Sequence, residues 1–289
     1  MNRLKSMFIG MFPMLAMGIS AYAVYQMIEY GFDYGWLGAV LTTMPVMMFI
    51  SRVMMFKGVA RTSSHFPLLI LLAVGGLGSA IYGFAESNPF TISQPLALIA
   101  AMIGFVIFMI YNFWYSSLGR KMNTRIGQGK TLPAFHTTDA QGKQFSSESF
   151  KGKPAVLMFY RGNWCPLCMA QIKEVAARYK ELSDKGVTVA LISPQPEKNT
   201  QALAKKFNVP FLFLTDQGNR AARALGIEMK NGLPMGMEMF GYDKDTVLPT
   251  VIVTDAEGRI IYLDETNNYR VRPEPDEYLN ILNNHLKMA

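Results

Sequence analysis

The sequence predicts an α-helical membrane domain of four transmembrane helices joined to an α/β domain with a mixed central sheet. Three observations carry this. Four stretches without a charged residue are confined to the first 119 of the 289 residues, and a helix needs about 20 apolar residues to cross a hydrocarbon core. From about residue 132, apolar runs of strand length alternate with amphipathic runs of helix length, the pattern of a sheet covered on both faces. Basic residues gather on alternate connections between the uncharged stretches, as they do in multi-pass chains.

The spans fall at about 7–28, 34–56, 66–85 and 95–117. They lie within Met7 to Ile28, Tyr34 to Ser51, Phe66 to Ala85 and Asn88 to Gly119, with Val53 to Phe56 extending the second past Arg52. Pro45 inside that span is tolerated because neighbouring groups re-satisfy the freed carbonyl. Trp36, Trp114 and Tyr115 lie near span ends, where amphipathic rings settle at headgroup level. Gly75, Ser79 and Gly83 recur every four residues in the third span, a small-residue stripe for close helix packing. Met7, Met11, Met14, Met17, Met47, Met48, Met54 and Met55 read as apolar filler rather than copper ligands, since no histidine or cysteine accompanies them. With no ionisable residue in a span core, the marker of an ion pathway is missing. Residues 1–119 are therefore expected to anchor or assemble.

Orientation follows from charge. Arg3 and Lys5 precede the first span, Arg52, Lys57 and Arg61 lie between the second and third, and Arg120, Lys121, Arg125 and Lys130 follow the fourth; the other connections carry only Glu29, Asp33 and Glu86. The positive-inside tendency puts the basic side, and with it the α/β domain, in the cytoplasm of a multi-pass inner-membrane protein of bacterial type. Ala21-Tyr22-Ala23 also reads as a signal-peptidase site, and cleavage there would leave three spans and the same sidedness. Residues 120–289 hold 23 basic and 18 acidic residues, a net of +5 against +7 for the chain. Much of that excess is the 120–131 juxtamembrane linker, which suits anionic lipid headgroups. No basic stripe with interleaved aromatics follows, which argues against nucleic acid.

The α/β domain, 132–289, is read in order. Asp139 to Lys143 is a turn between short strand-like pieces, and Ala155 to Tyr160 is a buried strand. A helix runs from Pro166 to about Lys185 with Ile172, Val175, Ala176 and Tyr179 on one face. A strand at Val187 to Ile192, a helix around Lys198 to Phe207, a strand at Phe211 to Leu214 and a helix over Asn219 to Leu225 follow. Thr250 to Thr254 and Arg259 to Leu263 form a hairpin about Glu257-Gly258, before a last helix from Glu274 to about Lys287.

The chemistry sits between the first long strand and its helix. The chain has two cysteines, and both are in Trp164-Cys165-Pro166-Leu167-Cys168. A Cys-x-x-Cys after a strand in a βαβ pattern reads as a redox pair. Pro166 suits the first helical position, so Cys165 caps the positive end of the helix dipole and Cys168 lies one turn on. That place favours the thiolate, the attacking species. Cys165 then attacks and Cys168 displaces. The sulfurs carry the electrons, so no organic cofactor or metal is expected.

The stretch from about Leu132 to Met288 resembles the redoxin group of the thioredoxin fold that contains the AhpC/TSA peroxiredoxins, so the α/β domain is expected to be thioredoxin-like. The motifs are Phe159-Tyr160-Arg161-Gly162 before Trp164 to Cys168, Pro133-Ala134-Phe135 with Gly142-Lys143, Lys151 to Pro154, and Phe211 to Asp216 followed by Ala221 to Gly226. The resemblance implies an antioxidant thiol–disulfide oxidoreductase acting on a protein disulfide or a peroxide, re-reduced by cytosolic thioredoxin or glutathione. It makes Pro249, in Leu248-Pro249-Thr250, the cis-proline that faces the dithiol and meets the substrate backbone, where a plain strand-start proline is the alternative. Arg161, close to the cysteines in sequence, is read as a thiolate-stabilising group, for which an exposed surface arginine is the plainer reading. Trp164 walls the site. Two departures count against efficient peroxidase chemistry. Laid over Cys168, the signature Pro-x-x-x-Thr-x-x-Cys meets Arg161 and Cys165 where it wants Pro and Thr, and the residues around Pro249 in the sequence offer no evident equivalent of that family's transition-state arginine. In that register Cys168 would be peroxidatic. Thioredoxins carry a buried carboxylate where this chain has Phe159.

Two other classes compete. A copper-delivering module of the same fold would use paired cysteines, but those proteins space them by three residues and add a histidine, and His65, His136 and His285 form no cluster; Met235-Gly236-Met237-Glu238-Met239 is its best argument. A structural zinc site lacks two of four ligands. A redox-inactive scaffold is the third option.

Overall fold

The computed structural model describes residues 2–55, 62–87 and 91–288. Phe56, Lys57 and Arg61, expected to end the second span and to form its basic connection, and Asn88 ahead of the fourth span, lie outside the described residues. The chain divides into two compact units, one holding Met7–Lys57 and Thr62–Ser117, the other built mainly on Leu118–Ala289.

The first unit is helical: α1 (Asn2–Tyr30), α2 (Tyr34–Met55), α3 (Pro67–Ala85) and α4 (Ser93–Met109), the last continuing as a π-helical turn over Ile110–Tyr115. All four are long and apolar enough to cross a membrane. Backbones of α2 and α3 touch through glycines. A Cβ on Gly38 would lie 2.4 Å from the Gly76 carbonyl oxygen, and one on Gly83 would lie 2.6 Å from the Gly35 nitrogen. The contact stripe runs through Ala73, Gly76 and Ala80, which are buried, and not through Gly75, where a Cβ would meet nothing within 4 Å. Gly75 sits one residue, about 100° of rotation, off that face. The Trp36 side chain, near the start of α2, packs within the helical unit. Its ring is buried and its Nε1 donates to Ser93 Oγ at 3.0 Å, the partner a buried indole N–H requires. Ser20 and Thr43 hydroxyls pair at 2.7 Å, and Asn112 Nδ2 donates to the His65 carbonyl at 2.8 Å.

The second unit is a mixed sheet with helices on it. Its elements are β1 (His136–Asp139), β2 (Gln144–Ser146), β3 (Ala155–Phe159), α5 (Pro166–Ala177), α6 (Tyr179–Asp184), β4 (Thr188–Ser193), α7 (Glu197–Phe207), β5 (Leu212–Thr215), α8 (Arg220–Leu225), β6 (Glu228–Met229), β7 (Thr246–Val247), β8 (Thr250–Thr254), β9 (Ile260–Asp264) and α9 (Pro275–Met288). Seven strands pair in the order β2-β1-β5-β4-β3-β8-β9. β3 runs parallel to β4 and antiparallel to β8. Every residue of β3 is buried, which explains its unbroken Ala-Val-Leu-Met-Phe: a central strand covered on both faces needs no polar alternation. Leu157, Phe159, Ile192, Leu214 and Ile252 meet in the core beside Phe135 and Phe150.

The single helix expected from Pro166 to about Lys185 is two helices. Arg178 leaves helical geometry at φ −101°, ψ 13°, and its guanidinium pairs with Glu181 and, at 2.6 Å, with Asp276 at the start of α9. β6 and β7 form a two-stranded sheet that the sequence pattern did not suggest, since two residues are too few to show a period. Among the described residues of the 120–131 segment, Gln128 donates to Ile261 O and Gly129 to Ile260 O, laying the chain along β9.

Candidate functional site

The dithiol stands where β3 gives way to α5. Tyr160 N–H still donates to Ile192 O at 3.0 Å, continuing the ladder with β4 for one residue. Gly162 then takes φ +146°, a conformation other residues avoid. A Cβ there would lie 2.7 Å from Trp164 Nε1. Cys165 N–H closes the turn on Gly162 O at 3.1 Å.

Cys165 is the N-cap of α5 and Pro166 its first residue, as the spacing predicts. The Cys165 sulfur accepts from the backbone N–H of Cys168 at 3.4 Å and from the Cys168 thiol at 2.7 Å. Both side chains are 1% exposed, and both are free thiols. Their electrostatics diverge. Burial alone pushes the Cys165 thiol up, but the hydrogen bond from Cys168, the charges of Arg161 and Arg272 and the Cys168 backbone N–H together bring it down to about 6. Burial, the shared hydrogen bond and the charge on Cys165 push Cys168 well above the usual thiol range, against the charge of Arg272. One sulfur is thus held as thiolate and the other as thiol, the arrangement in which a proton shared between them stabilises the anion.

Arg161 is not the surface residue that the plainer reading made it. It is 5% exposed, its Nη2 donates to Gly232 O at 2.6 Å, and its guanidinium lies 4.6 Å from the centre of the Trp164 ring. Stacking on an aromatic face suits a weakly hydrated planar cation. Its carbonyl accepts from Thr246 Oγ1 at 3.1 Å. The connection from β6 to β7 therefore crosses beside the dithiol loop. Tyr242, on that connection, donates its hydroxyl to Asn163 Oδ1 and accepts from Asn199 Nδ2 at 2.9 Å. The Asn163 N–H donates to Gln195 Oε1 at 2.9 Å, and Gln195 Nε2 reaches Tyr160 Oη at 3.0 Å. Burial and then the charge on Cys168 push the Tyr160 phenol up, so it stays neutral beside the sulfurs.

Leu248, Pro249 and Thr250 lead into β8, where Thr250 pairs with Phe159, the last residue of β3. The proline therefore lies at the sheet end from which the dithiol loop emerges. Pro249 is buried; the Leu248 N–H is bonded to Ile227 O, and its carbonyl accepts from Thr250 Oγ1. Both backbone groups of Leu248 are thus bonded within the chain, which fixes the segment before the proline. Met235 and Met239, the residual argument for a soft metal, are 47% and 87% exposed.

Sequence reasoning missed Arg272, Gln195, Thr246 and Tyr242. They come from three separate segments, and no spacing relates any of them to the cysteines. Arg272, buried in Arg270-Val271-Arg272, had only the oddity of two arginines flanking a valine as a signal.

A profile of the AhpC/TSA family matches residues 128–263. Chloroplastic peroxiredoxin Q of Sedum lineare is 33% identical over 129 residues, 44% of this chain and 69% of that protein. The peroxiredoxin Q of Populus jackii is 30% identical over 138 residues, of which the match spans 64% of that protein and 47% of this chain. Thiol-disulfide oxidoreductase ResA of Bacillus cereus is 25% identical over 185 residues, 64% of this chain and 90% of that protein. Among solved structures, the peroxidoxin BcpB from Mycobacterium tuberculosis superposes with a TM-score of 0.47 at 19% identity, covering 55% of this chain and 97% of that one.

Proposed function

We propose, for a chain that belongs to the AhpC/TSA family through its α/β half, that Cys165 is the attacking thiolate and Cys168 the resolving thiol of a membrane-anchored oxidoreductase. That it is a thiol-based, peroxiredoxin-like oxidoreductase is the premise; the assignment of roles to the two sulfurs is the proposal. One observation carries it: Cys165 occupies the helix N-cap with its sulfur accepting from Cys168.

In the reaction, Cys165 Sγ⁻ attacks one sulfur of a substrate disulfide, and the other sulfur leaves as thiolate. Cys168 gives up its proton and attacks Cys165 Sγ, releasing the second substrate sulfur and leaving the Cys165–Cys168 disulfide. The substrate gains two electrons and the dithiol loses them. A cytosolic thiol system, thioredoxin or glutathione, returns the disulfide to the dithiol. With a hydroperoxide, the same thiolate cleaves the O–O bond, becomes a sulfenic acid and releases an alcohol or water; condensation with Cys168 then releases water. Arg161 holds the anion, Trp164 and Pro249 with Leu248 wall the site, and Pro166 starts the helix.

The domain boundaries belong to this proposal: residues 1–119 as a four-span membrane domain, 120–131 as linker and 132–289 as the redox domain. So does the setting, an inner membrane with the redox domain in the cytoplasm. Four helices of sufficient length and apolarity and the basic clusters on one side support it.

A second reading rests on the peroxiredoxin Q relatives, whose family register over Cys168 makes that sulfur peroxidatic. Full-length protein in nanodiscs, assayed for peroxide consumption and for protein-disulfide reduction, separates the two. The proposal expects Cys165→Ser to abolish both and Cys168→Ser to accumulate a mixed disulfide or sulfenic acid on Cys165. Peroxide turnover that survives Cys165→Ser and is lost in Cys168→Ser would overturn the assignment.

A further inference from the structure

The basic residues after the fourth span are expected to face headgroups, and Arg120 does not. Its side chain is 7% exposed. Nε donates to Thr266 O at 3.1 Å. Nη2 donates to the carbonyl of Pro249 and, at 3.2 Å, to Thr250 Oγ1. Nη1 lies 3.7 Å from the Glu265 carboxylate, and the Arg120 backbone N–H is fixed by Asn267 Oδ1 at 2.9 Å. A planar guanidinium spends its fork on two carbonyls, a hydroxyl and a carboxylate, a use that an ammonium could not copy.

The acceptors sit where the start of β8 lies beside the end of β9. Pro249 and Thr250 open β8 opposite Phe159, and Glu265 and Thr266 follow the end of β9. From the other side, Leu248 is tied to Ile227 and Thr246 to the Arg161 carbonyl. Proline has no N–H of its own to enter a ladder, so the carbonyl is the backbone group through which Pro249 can be held. Arg120 supplies the donor from 129 residues away in sequence.

We infer that Arg120 is a positioning residue for the redox site, clamping the Pro249 segment as the wall against which substrate is presented to Cys165. This rests on the reading of Pro249 as substrate-facing. Arg120 stands apart from the thiols' own electrostatics, whose charges come from Arg161 and Arg272. Loss of the clamp should therefore change how substrate is presented and leave thiolate formation alone.

The test is steady-state protein-disulfide reduction by full-length protein in nanodiscs, comparing wild type with Arg120→Ala, Arg120→Lys and Pro249→Ala, alongside the Cys165 titration followed by ultraviolet thiolate absorbance. Arg120→Ala is expected to raise KM about tenfold, the lower end of what losing a hydrogen bond from a charged donor does. Its Cys165 titration midpoint should stay at the wild-type value, and Arg120→Lys should recover part of the KM. If Arg120→Ala does not fold, the lysine variant carries the test, with a smaller rise in KM at an unchanged midpoint. A KM that moves in Pro249→Ala but in neither Arg120 variant would overturn the inference and leave the reading of Pro249 standing. A KM unmoved by Pro249→Ala would remove that reading instead. A shifted thiol midpoint in the Arg120 variants would assign the residue to general structure and overturn the inference too.

Discussion

Replacing Arg161 by Met should move the reactivity of Cys165 to higher pH and raise its high-pH ceiling only about threefold, since a more basic thiolate is the stronger nucleophile. The guanidinium is 5% exposed, so water screens its charge poorly, and it is one of two cations that hold the Cys165 thiol down near 6. An opposite charge at close range is worth about one to three pKa units; with Arg272 still in place, about one unit is the expected loss. At pH 6 the thiolate fraction would fall from about a half to about one tenth, whereas near pH 8 it would fall only from about 99% to about 90%. The assay is the rate of iodoacetamide alkylation of Cys165 from pH 5 to 9, with the labelled residue located by mass spectrometry. Arg161→Lys keeps the charge and should keep the profile. Met leaves the Gly232 carbonyl without its Arg161 donor, which costs about 1–3 kcal/mol, so a thermal melt must show that the variant is folded. Superimposable alkylation midpoints for wild type and the Met variant would refute the electrostatic argument, since burial by itself raises a thiol.

Two further outcomes follow from the loop geometry. Gly162→Ala forces a side chain into a φ of +146° and within 2.7 Å of the Trp164 indole nitrogen; it should cost about 1–3 kcal/mol in stability and, by displacing Trp164, change the intrinsic fluorescence in step with the melt. Tyr242→Phe removes the hydroxyl that joins Asn163 to Asn199. Both sulfurs are 1% exposed and the connection is bonded to Asn163 and Arg161 in the loop before them, so loosening it is expected to accelerate labelling of Cys165 by a bulky maleimide about three- to tenfold, with the iodoacetamide midpoint unchanged.

Local chemistry was legible in the residue order. Cys165-Pro166-Leu167-Cys168 specifies a cap, a first helical turn and a sulfur pair on one face, because those relations span four residues and obey helix geometry alone. The all-apolar β3 reads as a central strand for a similarly local reason, and the four uncharged stretches read as long apolar helices because their composition permits little else. Tertiary structure decided what depends on distant segments meeting. It turned Arg120 from a headgroup contact into the donor on Pro249, sank Arg161 beneath the β6–β7 connection, and brought the charge of Arg272 to both sulfurs. It also chose Gly76 over Gly75 as the helix contact. A guanidinium is equally at home in water or in a satisfied buried site, so the sequence carries no mark of which it will take; only the positions of carbonyls 71 to 146 residues away settle it.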